Sequence, residues 1–233
     1  MKTILLLGAV DKSDLALYLS KTLSAAGKRV LLVDGTQERD LRYSVNFIDN
    51  GEICLTEYEG FDLLLNETSL KEVHEGIDQQ NLYDFLLADI DDPAFLSFED
   101  FKNANSRIVV TSFESKSIEK SKKFFTDLYS KADSPGHIEV ERIISGSVEC
   151  GIDEEYIDMQ LANFHIIWPE ASYHLPLDEV DYAIKIKNQH NKRLNFKGIS
   201  RSYRQLLSSL LENLIECDKR FAKSAVKLAQ RRG

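Results

Sequence analysis

The residues best placed to do chemistry form a short loop between an apolar run and an amphipathic segment near the start of the chain. The loop consists of Gly8, Ala9, Val10, Asp11, Lys12, Ser13 and Asp14. A loop between a strand and a helix can hold phosphate, because backbone N–H groups and a helix N-terminus attract anions. A complete phosphate loop has Gly-Lys-Ser/Thr there: glycine allows close approach, lysine neutralises the phosphates and the hydroxyl holds Mg²⁺.

This loop departs from that pattern at one decisive position. Lys12 and Ser13 are present, but Asp11 stands where the glycine belongs. A carboxylate at that point faces the phosphates that the loop would otherwise attract. Two interpretations remain open: a degenerate nucleotide loop, or an ordinary helix start that Asp11 or Ser13 caps.

The segments around the loop predict a parallel α/β sheet. The apolar run 3–7 predicts a buried strand, residues 14–26 carry apolar positions at helical spacing, and residues 29–33 predict a second buried strand. Such a βαβ unit is typical of a sheet covered by helices on both faces. We therefore expect a doubly wound, mostly parallel sheet.

The same patterns continue along the rest of the chain. They predict further strands over 83–88, 107–111, 139–145 and 164–168, and helices over 70–80, 117–130 and 200–229, the last as one long helix or two closely joined helices. No repeat or low-complexity linker interrupts them. We therefore predict one domain over residues 1–233, with a basic helical tail over 217–233.

Ligands of open parallel sheets bind beyond the carboxyl ends of the strands. The sequence places Gly8, Asp34, Asp89 and Pro169 at such ends. Ser13, Asp34 and Asp89 are candidate Mg²⁺ ligands, and the alternative is that the two aspartates are solvated. For Lys12 the alternatives are weak nucleotide binding and an internal salt bridge to Asp11 or Asp89.

Composition narrows the class of protein. The chain has 233 residues, a formal net charge of −9 and 3 cysteines, which excludes a disulfide scaffold and argues against nonspecific nucleic-acid binding by the body of the protein. No apolar run is long enough for a spanning helix, so we expect a cytoplasmic protein. The basic tail is either a solvated helix end or a contact to membrane or nucleic acid.

The order and spacing of these pieces resemble the ParA/MinD family of deviant-Walker P-loop ATPases over nearly the whole chain. The eight positions of the family's phosphate loop fall on residues 7–14, and its second strand falls on residues 27–34 without a gap. The segment 83–89 resembles the family's Walker B strand. Residues 107–111 and 196–203 resemble the next strand and the segment before the last helix.

The resemblance also implies which catalytic groups are altered. Family members use the first loop lysine to stabilise charge on the partner's ATP across a dimer, and Leu7 occupies that position here. They carry a second aspartate two residues after the first, where this chain has Thr36. Because phosphoryl transfer relies on positioning and charge stabilisation, the changes at Leu7, Asp11 and Thr36 imply little or no hydrolysis.

The resemblance therefore implies a non-catalytic or nearly inactive scaffold, or a localisation and partitioning factor, for example of a pilus, secretion or conjugation apparatus. The alternative is a slow ATP-dependent dimeric switch that positions cargo, DNA or a division apparatus. ATP or ADP with Mg²⁺ is the cofactor to test, and Pro169 falls where family members line the adenine pocket. The implied partners are proteins, with a homodimer not driven by nucleotide and peripheral membrane contact as further expectations.

Overall fold

A computed structural model describes residues 1–46, 51–77, 82–132 and 136–231. The strands are β1 Lys2–Leu7, β2 Val30–Gly35, β3 Cys54–Tyr58, β4 Phe61–Leu65, β5 Phe85–Ile90, β6 Ser106–Thr111, β7 Ile138–Glu139, β8 Glu141–Ser147, β9 Ile166–Ile167 and β10 Tyr173–Pro176. The helices are α1 Ser13–Ala25, α2 Leu70–Ile77, α3 Phe98–Asn103, α4 Ser115–Tyr129, α5 Glu154–Leu161, α6 Glu179–Asn191, α7 Arg201–Ile215 and α8 Lys219–Arg231.

Eight of these strands form one sheet in the order β10-β8-β6-β1-β5-β2-β4-β3. All neighbours in it are parallel except β3, which pairs with β4 in an antiparallel hairpin. The first strand of the chain thus lies in the middle, between β5 and β6. The carboxyl ends of β1, β2 and β5 meet at one edge, and the register sets Asp34 of β2 beside Asp89 of β5.

Alternate residues of the central strands pack into two separate apolar layers, as side chains of a strand point to opposite faces. Ile4 and Leu6 pack with α1, α7 and α8 on one face. Leu5 and Leu7 pack with α2, α3, α4 and α5 on the other. The predicted doubly wound α/β architecture, with helices on both faces of a mostly parallel sheet, is confirmed.

Several predicted element bounds need correction. The predicted strand 164–168 is wrong, because only Ile166–Ile167 is extended, and it pairs with Ile138–Glu139 in a separate two-stranded sheet. The predicted strand 139–145 is divided between two strands. Its first residue belongs to β7, and β8 runs from Glu141 to Ser147. The predicted helix 70–80 extends to Ile77, and its last three positions lie outside the described residues.

The C-terminal segment is two helices rather than one. α7 ends where Glu216 adopts a positive φ of 54°, and α8 then folds back onto α1 and α7. Ala222, Ala225, Val226 and Ala229 of α8 are buried in the apolar layer on that face. Phe221 and Leu228 of the same helix are exposed. Arg232 and Gly233 lie outside the described residues.

Candidate functional site

The loop after β1 starts at a glycine that no other residue can replace without displacing the backbone. Gly8 has φ 121°, and a Cβ atom built on it would lie 2.2 Å from the carbonyl oxygen of Val110 in β6. Its N–H donates to the carbonyl of Ile90 at 3.1 Å. The loop is therefore held against the carboxyl ends of both strands that flank β1.

Lys12 is turned into the protein rather than toward a ligand. Its ammonium lies 2.7 Å from Asp89 Oδ1 and donates to the carbonyl of Gly8 at 2.7 Å. The two charged side chains are 2% and 1% exposed. Burial raises the pKa of Asp89 to about 7, and the attraction of Lys12 opposes that rise. Of the two partners left open for Lys12, Asp89 is the one that it contacts.

The carboxylate of Asp11 accepts hydrogen bonds from the first residue of α1. Its Oδ1 accepts the N–H of Ser13 at 3.1 Å and the hydroxyl of Ser13 at 2.7 Å. Its Oδ2 lies 2.8 Å from the ammonium of Lys185 in α6. Burial disfavours the ionised carboxyl, but Lys185 and the two Ser13 donors hold the pKa of Asp11 below its ordinary value. Asp11 thus places an anion of the protein itself where a phosphate loop binds phosphate.

The same lysine connects the loop to α1 and α7. Lys185 lies 3.1 Å from Asp14 Oδ1, and the hydroxyl of Tyr203 in α7 donates to Asp14 Oδ2 at 2.7 Å. These contacts raise the pKa of Lys185 despite its burial, because two carboxylates favour the ammonium. Lys185 was not identified from the sequence, where it is one of two lysines in a segment with no recognisable motif. Asp11, Lys185, Asp14 and Tyr203, here called the loop lock, form one hydrogen-bonded chain.

Asp34 is fully buried and its carboxylate is saturated by the turn that follows β2. Its Oδ1 accepts the hydroxyl and the N–H of Thr36 at 2.6 and 3.1 Å, and its Oδ2 accepts the N–H of Leu41 at 2.9 Å. Burial raises the pKa of Asp34, although these three hydrogen bonds act to lower it. Thr36, at the position implied for a second aspartate, therefore helps to fold this turn.

These contacts leave no set of ligands suited to Mg²⁺ with a nucleotide. The hydroxyl of Ser13 is donated to Asp11, the oxygens of Asp34 accept three donors, and Asp89 is paired with Lys12. Within the described ranges, no group of three or more His, Cys, Asp or Glu side chains is arranged to hold a metal ion. One candidate ligand atom is not engaged by the protein: Oδ2 of Asp89 is buried and has no hydrogen-bond partner among the described residues. The residues as placed do not fit the implied cofactor.

A cavity of about 750 Å³ opens beside the loop, over the carboxyl ends of β6 and β8. We call it the loop-side cavity; its walls include Ala9, Val10, Asp11, Phe113, Lys116, Lys120, Val148, Ile152, Leu177 and Tyr182. Its position matches the general place for ligands in an open parallel sheet. Most of the side chains that line it come from the chain after residue 111.

Pro169 does not belong to this site. It lines a different cavity with Lys2, Asn105 and Ser106, which lie at or next to the amino ends of β1 and β6. Trp168 beside it packs under the guanidinium of Arg142, 4.9 Å from the ring centroid. The expectation for Pro169 is wrong because it follows the short β9, outside the main sheet. The late strand that does belong to the main sheet is β10, and Leu177, which follows its carboxyl end, lines the loop-side cavity.

Comparison with solved structures finds the same architecture over almost the whole chain. A ParA family ATPase from Chlorobium tepidum superposes with a TM-score of 0.58 at 14% identity, covering 98% of each chain. MinD in the MinC:MinD complex of Aquifex aeolicus gives a TM-score of 0.56 at 17% identity, covering 100% of this chain and 95% of that one. MinD of Pyrococcus horikoshii with Mg-ADP gives 0.53 at 16% identity, covering 99% and 95%. The protein has a ParA/MinD-like fold.

At the level of sequence, no protein-family model matches the chain, and no curated protein is significantly similar to it. Across the part of the chain that the structure describes, no helix combines the length and apolar character needed to cross a membrane.

Proposed function

We propose that this chain is a non-catalytic or nearly inactive ParA/MinD-like protein that acts as a scaffold or as a localisation and partitioning factor. The observation that carries the proposal is the closed state of the loop. Lys12 is committed to Asp89, and Asp11 accepts the donors of Ser13 that a phosphate loop offers to its ligand. A nucleotide would have to break a buried ion pair and displace a carboxylate to enter.

Two further positions support the proposal. Leu7, in place of the lysine that acts across the family dimer, is fully buried in β1 and packs with the layer of α4. Thr36, in place of the second aspartate, donates its hydroxyl to Asp34. Neither side chain offers a charge to a phosphate, so the electrostatic part of phosphoryl transfer has no source there.

The solved neighbours suggest what such a protein positions. They include a ParA family ATPase and a MinD seen together with MinC, a protein partner. By analogy, we assign this chain a role in placing a cytoplasmic assembly, such as a pilus, secretion or conjugation apparatus, through protein partners. In this proposal residues 1–233 act as one unit, and any homodimer forms without nucleotide.

A slow ATP-dependent switch is the second candidate. It is favoured by the retained pair Asp34 and Asp89 at neighbouring strand ends and by the unpartnered Oδ2 of Asp89. In a switch, nucleotide entry would open the loop lock and create a dimer interface.

Calorimetry and light scattering with ATP and Mg²⁺ distinguish the two candidates. For a scaffold we expect ATP turnover near background and the same molar mass with and without nucleotide. Turnover comparable with that of an intact relative, or a shift from monomer to dimer on adding ATP, would assign the protein to the switch class. The Asp11→Gly variant serves as the sensitive control, because it removes the carboxylate from the loop.

A further inference from the structure

The apolar side chains that the described residues leave in solvent are concentrated in one part of the chain. Of 16 exposed large apolar residues, nine lie between residues 148 and 186: Val148, Ile152, Tyr156, Met159, Ile167, Leu177, Val180, Tyr182 and Ile186. Exposed apolar side chains that cluster, rather than occur singly, mark interaction sites.

Four of these residues line the loop-side cavity. Val148, Ile152, Leu177 and Tyr182 all line it, with Leu177 72% and Tyr182 61% exposed. Tyr182 and Ile186 lie one turn apart on α6, so the apolar surface continues along that helix. A volume of about 750 Å³ is enough to take up several apolar side chains of a partner.

Two lysines of α4 also line the cavity. Lys116 and Lys120 lie one turn apart on α4, are exposed, and have no carboxylate within 4.0 Å among the described residues. Asp11 also borders the cavity, but its charge is compensated by Lys185. Glu114 is the one exposed carboxylate lining the cavity for which the described residues supply no cation. The occupant that fits therefore carries both apolar and acidic side chains.

A second copy of the chain fits this surface less well. In a two-fold symmetric contact the same surface lies on both copies, so Lys116 and Lys120 would face their own counterparts rather than carboxylates. An acidic segment of a partner meets the two unpaired lysines instead.

We propose that the loop-side cavity is the docking site for an amphipathic segment of a partner protein, whose apolar side chains fill the cavity and whose carboxylates pair with Lys116 and Lys120. The proposal rests on the proposed function, because a nucleotide at the loop would compete for this space. It identifies the partner by its chemistry and gives the scaffold a surface with which to hold it.

The test uses the full chain and a synthetic fluorescent peptide of about 16 residues, with leucine and phenylalanine on one helical face and glutamate on the other. A matched peptide carries lysine in place of glutamate. Fluorescence anisotropy should show the glutamate peptide binding at least about tenfold more tightly than the lysine peptide. The Lys116→Glu/Lys120→Glu variant should reverse that preference, and Leu177→Asp should weaken both peptides.

Lys223→Glu/Lys227→Glu, the same change of charge on two exposed lysines of α8, should leave both affinities unchanged. Equal binding of the two peptides, no binding, or indifference to charge reversal on α4 would overturn the docking site. A dimer that light scattering detects in the unmodified protein and that Leu177→Asp dissociates would overturn it too, because a second copy would then be the occupant. Displacement of the peptide by ATP and Mg²⁺ would instead refute the proposed function, whereas failure of the peptide alone leaves that function intact.

Discussion

The ammonium of Lys185 in α6 lies 2.8 Å from Oδ2 of Asp11 in the loop after β1, although 174 positions of sequence separate the two residues. The other attachments of α6 lie away from the loop: Asn188, its one buried residue, donates to the hydroxyl of Tyr18, and Asp181 accepts the N–H of Ser200. The loop lock is therefore what joins α6 to the loop and to the start of α1.

Replacing Lys185 by methionine should loosen α6. The change leaves Asp11 and Asp14 without their shared cation, so we expect hydrogen exchange of α6 amides to accelerate by about tenfold or more. Lys187→Met, at an exposed position on the same helix, is the control and should exchange at the rate of the unmodified protein. Unchanged protection of α6 in Lys185→Met would show that the loop lock does not hold the helix.

Lys12→Met should destabilise the fold severely. It leaves Asp89 buried without a cation, and breaking a buried ion pair in this way costs about 3–5 kcal/mol. The double variant Lys12→Met/Asp89→Leu should recover much of that loss in urea unfolding. Lys2→Met is a matched control, because Lys2 and its partner Glu216 are 46% and 82% exposed, and such pairs contribute at most about 1 kcal/mol. Similar losses of unfolding free energy in Lys12→Met and Lys2→Met would contradict a special contribution from the buried ion pair.

Asp11→Gly should increase affinity for ATP. It removes the repelling carboxylate and frees the donors of Ser13, and we expect at least a tenfold gain, equivalent to about 1.4 kcal/mol, by calorimetry. Asp11→Asn removes the charge but keeps an acceptor for Ser13, so it separates the two effects. If neither variant gains affinity, another part of the loop excludes the nucleotide.

Asp40→Asn should stabilise the protein at neutral pH and not in acid. Burial and the charges of Asp11, Asp34 and Asp91 raise the pKa of Asp40 to about 6, compared with about 4 in an unfolded chain. The folded protein therefore holds this proton more tightly, and its stability falls as the pH rises from about 4 to about 6. After allowance for solvent screening, we expect a gain of about 1 kcal/mol for the asparagine variant at pH 7.5. Urea unfolding at several pH values measures it, and a gain that does not vary with pH would count against the electrostatic cause.

The central strands were predictable because they are buried on both faces and appear in the sequence as unbroken apolar runs. The two edge strands were not. In β3 exposed Leu55 and Glu57 alternate with partly buried residues, and β10 is short and ends in a proline. The run 164–168 was apolar enough to suggest a strand, but most of it packs beside the main sheet instead of joining it.

The site was predictable only where its parts are close in sequence. Lys12 and Ser13 match the phosphate-loop pattern, and that pattern identifies Asp11 as the residue that replaces its glycine. The choice of Asp89 rather than Asp11 as the partner of Lys12 depends on strand register, which the sequence leaves open. The packing of α6 brings Lys185 to the loop, and Leu177 after β10 lines the loop-side cavity. No local pattern distinguishes these two residues from other surface residues.

The central place of β1 has a consequence for biosynthesis. β1 is synthesised before both of the strands that flank it and must wait for them, since its partners span residues 85–90 and 106–109. α1 waits longer still, because α8, which packs against it, is made after both of those strands. Ile4, Leu5, Leu6 and Leu7 therefore lack a neighbouring strand on at least one side until residue 106 and those after it have been synthesised. During translation this segment is the natural target for a chaperone and the point where aggregation would begin.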